Sequence, residues 1–114
     1  MRFSILLLLA FLAGCDRGRP HSDGPKGLVL IEFYATWCGP CKLLAPTIAE
    51  IEAERPFGVR VKRIDIDQDQ EMAARYRVQS VPTVVIERDG SEQRRIVGNV
   101  PKKTIVDLIR NSSR

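Results

Sequence analysis

Apolar and polar positions fall along this chain in blocks whose period changes from one block to the next. Leu28-Val29-Leu30-Ile31-Glu32-Phe33-Tyr34-Ala35 is an almost unbroken apolar run and reads as a strand covered on both faces. Residues 42–55 change period: Leu44, Ile48 and Ile51 recur at helical spacing, with Pro46 expected to kink the helix. Pro56-Phe57-Gly58 breaks it. Residues 59–67 then read as a second strand, 69–76 as a short helix and 83–86 as a third strand. Asp89-Gly90 signals a hairpin leading into a fourth strand at 94–97. After Gly98, residues 101–111 place Ile105, Leu108 and Ile109 on one face of a last helix. Strands that alternate with helices and end in a hairpin predict an α/β domain, a mixed sheet with helices on both faces.

The first residues follow a different pattern. Met1-Arg2 supplies a positive start, and residues 3–14 are nearly all apolar. Such a run matches the apolar region of a signal peptide and is too short to cross a bilayer comfortably. It ends in Leu12-Ala13-Gly14-Cys15, which resembles the lipobox of bacterial lipoproteins. The resemblance implies cleavage before Cys15, a diacylglyceryl thioether on its sulfur and acylation of the new N-terminus; the alternative is an ordinary secretory signal with an incidental cysteine. Asp16 stands where inner-membrane retention is marked in Gram-negative lipoproteins. Residues 16–26 are polar, hold the chain's one histidine, His21, and read as a tether. It reaches about 35–40 Å fully extended and about 20 Å as a coil. The expected organisation is a signal peptide at 1–14, a lipidated Cys15 with its tether to 26, and a folded domain over 27–114. The expected location is the extracytoplasmic face of a bacterial membrane.

Composition narrows the class without naming the chemistry. A chain of 114 residues supports one domain, and 44% hydrophobic with 28% charged residues suits a folded core. The formal charge of +4 is spread out. The clusters Arg60/Lys62/Arg63, Arg94/Arg95 and Lys102/Lys103 are too short for a nucleic-acid arm, so no nucleic-acid partner is expected.

The chemistry lies in Trp37-Cys38-Gly39-Pro40-Cys41-Lys42, directly after the first strand. Cys38 falls at a helix N-terminus, where unpaired N–H groups and the helix dipole favour a thiolate. Cys41 is near enough in sequence to close a disulfide with it. With Cys15 taken by lipid, this is the one remaining pair among three cysteines. A structural zinc site wants four ligands, which these residues do not supply. Asp65, Asp67 and Asp69 begin like a calcium loop, but Gln70 and Tyr76 stand where it needs Gly and Glu. No metal and no cofactor beyond the dithiol is expected.

Over 27–111 the chain resembles the thioredoxin family. The likeness rests on Trp37-Cys38-Gly39-Pro40-Cys41-Lys42, Pro46, Asp65-Ile66-Asp67-Gln68, Val81-Pro82-Thr83, Asp89-Gly90 and Gly98. It implies that Cys38 attacks a substrate disulfide and that Cys41, more deeply buried, resolves the mixed disulfide. Gly39 and Pro40 set the turn into the helix. Pro82, which by sequence alone fits a cis or a trans turn, is implied to be cis and to leave Val81 free to pair with a substrate strand. Trp37 is implied to belong to the docking surface.

Two departures from the family stand out. Glu32 occupies the place of a buried Asp that takes the resolving thiol's proton; the alternative is an exposed strand-end acid. Arg63 stands where a Lys is common, and a Glu32–Arg63 contact is expected. The family's first strand and helix have no counterpart, so a trimmed sheet of about four strands is expected, with 59–67 at its edge. The implied activity is reduction of disulfides in exported proteins, for example in cytochrome c maturation, fed by a membrane thiol-reductase. An oxidant or isomerase, or a non-catalytic peptide-binding module, remains open at this level.

Overall fold

The computed structural model describes residues 26–114. The expected signal peptide, the lipidation site at Cys15 and nearly all of the tether lie outside the described residues. The described chain runs β1 (Leu28–Tyr34), α1 (Gly39–Glu54), a 3-10 turn (Pro56–Gly58), β2 (Arg60–Asp65), α2 (Gln70–Arg75), β3 (Thr83–Arg88), β4 (Ser91–Val97) and α3 (Lys102–Ser112). The sheet order is β2-β1-β3-β4. β1 pairs parallel with β2 and antiparallel with β3, and β3 pairs antiparallel with β4. This is the expected trimmed sheet. Among the described residues no strand or helix precedes β1, and β2 is an edge. Its Arg60, Lys62 and Arg63 discourage pairing with another edge.

β1 is central because it is apolar on both faces. Leu28 and Leu30 pack with Leu44, Ile48 and Ile51 of α1, Ile105 and Ile109 of α3, and Val84 and Ile86 of β3. Val29, Ile31 and Phe33 pack on the other face with Ile64, Val85, Met72 and Tyr76. Helices therefore cover both faces, as the pattern predicts. Each fully buried aliphatic side chain contributes about 1.5–3 kcal/mol to the stability of this platform. Tyr76 donates a 2.8 Å hydrogen bond to Glu87, which gives that buried carboxylate a partner.

Element boundaries differ from the sequence reading where capping decides them. α1 begins at Gly39, not at 42, because Cys38 is its N-cap and Pro40 suits a first turn that needs no N–H. Pro46 lies inside α1, which continues through it. β2 stops at Asp65, whose carboxylate accepts the Asp67 N–H at 2.9 Å and turns the chain. α2 is capped by Asp69, which accepts from the Met72 N–H at 3.1 Å. β4 starts at Ser91, not at 94; it is an edge strand whose first five residues are all polar or charged, so its apolar alternation is faint.

Candidate active site

Cys38 and Cys41 form a disulfide with their Cα atoms 5.2 Å apart. Cys38 has extended backbone (φ −86, ψ 113), as an N-cap requires, and its Sγ accepts the Cys41 N–H at 3.2 Å. Its own N–H donates to Ala35 at 3.2 Å, and its carbonyl accepts from Lys42 at 3.3 Å. The main chain therefore fixes the sulfur at the positive end of α1. Reduction would leave a thiolate there, stabilised by the backbone N–H and the helix dipole. Both cysteines are 4% exposed, so in this oxidised form Cys41 is not the deeper of the two, contrary to the sequence expectation.

The Val81–Pro82 peptide is cis, and the Val81 carbonyl oxygen lies 3.6 Å from Cys38 Sγ. Two bonds pin this loop. The Gly98 N–H donates to the Pro82 carbonyl at 2.8 Å, and Thr83 Oγ1 donates to the Ser80 carbonyl at 2.7 Å. Beside it opens a groove of about 350 Å³ lined by Trp37, Ile66, Val78, Gln79, Ser80 and Val81. Trp37 is 67% exposed, so it borders the groove without filling the core. Its Nε1 donates to Asp67 at 2.8 Å. Gly39 and Pro40 form the exposed first turn of α1 between the cysteines. The structure thus gathers Trp37, Cys38, Gly39, Pro40, Cys41, Val81 and Pro82 at one end of the sheet.

Glu32 lies beneath, fully buried in β1, so the exposed alternative does not hold. It is directly opposite Arg63 on β2, and in parallel register the two side chains leave the same face. Arg63 Nε donates to Glu32 Oε2 at 2.7 Å, which is the expected contact. The guanidinium stacks over the Tyr34 ring at 4.7 Å. Oε1 is buried and has no hydrogen-bond partner. Burial pushes the Glu32 carboxyl above its ordinary value, and the bond to Arg63 and its charge oppose that rise. A hollow of about 220 Å³ is lined by Tyr34, Ala35, Thr36, Cys41, Lys42, Ala45 and Arg63, so Cys41 and the cation that pairs with Glu32 border the same space.

Sequence reasoning missed two supporting residues. Asp67 enters the sequence reading through its acidic run and the family motif after β2, with no partner assigned, yet it fixes the Trp37 indole. Tyr34 was read only as the end of an apolar strand, yet it orients Arg63. Neither partnership has a local signal, because each joins residues far apart in the chain. Among the described residues no cluster of His, Cys, Asp and Glu is placed to hold a metal ion.

Comparison with known proteins agrees with this geometry. The thioredoxin family profile matches residues 22–111. Thioredoxin from Listeria monocytogenes is 39% identical over 89 residues, 78% of this chain and 86% of the relative. Thioredoxin from Bacillus subtilis is 39% identical over 88 residues, 77% and 85% of the two chains. Among solved structures, a thioredoxin variant from Halobacterium salinarum superposes with a TM-score of 0.71 at 38% identity, covering 78% of this chain and 77% of its own. Fasciola hepatica thioredoxin gives 0.70 at 35% identity, covering 75% and 81%. With the dithiol at the N-cap of α1 and the cis-proline loop beside it, this chain belongs to the thioredoxin family and is a dithiol–disulfide oxidoreductase whose redox group is the Cys38–Cys41 pair.

Proposed function

We propose that this protein is a membrane-anchored, extracytoplasmic reductant of disulfides in exported proteins. The observation that carries the reading is Cys38 Sγ, held at the N-cap of α1 beside the Val81 carbonyl. The anchor is inferred from Leu12-Ala13-Gly14-Cys15 following the apolar residues 3–14, with lipid on Cys15.

The reduced pair acts in two exchanges. The Cys38 thiolate attacks one sulfur of a substrate disulfide held along the Trp37–Val81 groove, and the other substrate sulfur leaves as a thiolate. Cys41, deprotonated, then attacks Cys38 Sγ. The Cys38–Cys41 disulfide forms, the second substrate thiolate leaves, and two electrons have passed to the substrate. Glu32 takes the proton from Cys41, a task suited to a carboxyl whose pKa is raised by burial. In an oxidising compartment the pair must be re-reduced by a dedicated donor, and a membrane thiol-reductase suits a domain on a short tether. Substrates of this kind include apocytochrome c thiols oxidised before haem attachment.

Two measurements test the two halves. Cys15→Ser is expected to move the protein from the membrane fraction to the soluble one and to remove the diacylglyceryl mass; unchanged fractionation and mass would refute the anchor. Cys38→Ser is expected to abolish insulin reduction. A variant that still turned over would refute the assigned nucleophile, and one inactive yet still holding a peptide partner with wild-type affinity would leave the groove alone as the function.

A further inference from the structure

The end of the domain opposite the dithiol is where residues 16–26 join the fold. Gly27 is tied there by two bonds to Asp89: its N–H donates to the carboxylate at 2.7 Å and its carbonyl accepts at 2.9 Å. Leu28 pairs with Arg88 at the end of β3, and Val29 pairs with Arg60 at the start of β2. Arg55, the C-cap of α1, reaches the carbonyls of Val59 and Gly58, both at 3.4 Å. Arg55, Arg60 and Arg88 therefore crowd around the entry point.

Two of these three charges are not taken up by carboxylates. Arg60 donates to the Lys26 carbonyl at 2.9 Å, and Arg88 donates to the Arg114 carboxylate. The Arg55 and Arg60 guanidinium groups thus bond neutral main-chain oxygens and are not ion-paired among the described residues, whereas Arg88 is paired with the Arg114 carboxylate. Arg63, Arg75, Arg95, Lys102, Lys103 and Arg110 all pair with carboxylates. Of the nearby acids, Asp89 is bonded to Gly27 and Glu54 to Lys102, leaving Glu52 to face the hollow that Arg55 and Arg60 line. In the turn between α1 and β2, two residues after Arg55, Phe57 is 53% exposed at φ 56, an aromatic residue held outside the core at this end of the domain.

We infer that this end is a membrane-docking face: Arg55 and Arg60 meet the headgroups of anionic lipids and Phe57 enters the interfacial region. The inference rests on the proposed anchor at Cys15, which would bring this end, rather than the dithiol, nearest the bilayer. Cationic side chains and an aromatic ring are the groups an anionic interface takes up. The seven residues of β1 then hold the dithiol about 23 Å further from the surface. The active site would face soluble exported substrates, and its electron donor would have to present a thiol well above the bilayer.

The test uses the chain from Asp16 onward, which keeps every residue of the described fold, with far-UV circular dichroism and insulin reduction as checks of folding. It is sedimented with phosphatidylcholine vesicles, with and without phosphatidylglycerol. The expected result is salt-sensitive binding to the anionic vesicles only. Arg55→Gln/Arg60→Gln should weaken binding about twenty-five-fold, at about fivefold per cation, with reductase activity unchanged. Arg77→Gln/Arg94→Gln should retain binding. No preference for anionic vesicles, or equal loss in both variants, would overturn the docking face. Because this chain carries no lipid, its result is separate from the fate of the Cys15 anchor. For the lipidated protein in vesicles, brominated lipid should quench a Phe57→Trp reporter in a Trp37→Phe background and spare native Trp37. The reverse pattern would mean that the dithiol faces the membrane.

Discussion

Neutralising one partner of the Glu32–Arg63 pair should have opposite effects depending on which partner is removed. Glu32 is 0% exposed and Arg63 39%, so the two do not lose hydration equally. The carboxylate has one bonded oxygen and one orphan, and burial outweighs Arg63 in setting its pKa, which is raised from 4.5. A carboxyl whose folded pKa is raised binds more protons in the native state than in the unfolded state, between the two pKa values. Stability from this group is therefore full below about pH 4.5, and is lost as pH rises through the folded value. Glu32→Gln removes that loss. Relative to wild type it should gain stability between pH 4.5 and pH 8.5, by about 1.4 kcal/mol for each pH unit by which the folded pKa of Glu32 exceeds 4.5. Any packing cost of the amide is the same at both pH values and cancels. Arg63→Gln does the reverse. It leaves a buried carboxylate without its cation, and should cost about 3–5 kcal/mol at pH 8.5 but little where Glu32 is protonated. The assay is urea unfolding of the oxidised chain from Asp16, followed by circular dichroism at several pH values. A pH-independent difference for both variants, or a Glu32→Gln chain that loses ground as pH rises, would refute the assignment of Glu32 as a buried, poorly compensated acid.

Three further outcomes follow from the site and the turns. Cys41→Ser should stop turnover and accumulate a mixed disulfide through Cys38, visible by non-reducing mass spectrometry; full turnover would exclude Cys41 as the resolving thiol. Asp67→Ala frees the indole of a residue that is already exposed, so KM for a protein substrate should rise several-fold with kcat nearly unchanged and stability altered by less than about 1 kcal/mol. A fall in kcat alone would mean that Trp37 does not act in docking. Arg77 sits at φ 52 directly after the C-cap of α2, so Arg77→Gly should stabilise the fold by about 0.5–1 kcal/mol in urea unfolding. A loss of stability there would show that the side chain contributes more than its strained backbone costs.

The sequence made legible whatever local chemistry encodes. The unbroken apolar run of β1 announced a central strand, the Leu44/Ile48/Ile51 spacing announced the packed face of α1, and Asp89-Gly90 announced the β3–β4 hairpin. Cys38 before Gly39-Pro40 announced a thiol at a helix N-terminus because capping is a local property. The Glu32–Arg63 contact and the cis-proline came from family resemblance, and both are present. Partnerships across the sheet were not legible. Trp37 with Asp67 and Tyr34 with Arg63 depend on how β1 and the end of β2 lie side by side, and their spacing carries no periodic signal. The start of β4 was hidden because an edge strand buries too little to alternate clearly.

The equilibrium reduction potential of the Cys38–Cys41 pair, measured against glutathione in the chain from Asp16 onward, tests the central claim most directly. A reductant with Gly-Pro between its cysteines should lie at or below about −230 mV, near the thioredoxin range. A potential above about −180 mV would contradict the account and assign the protein to disulfide formation or isomerisation.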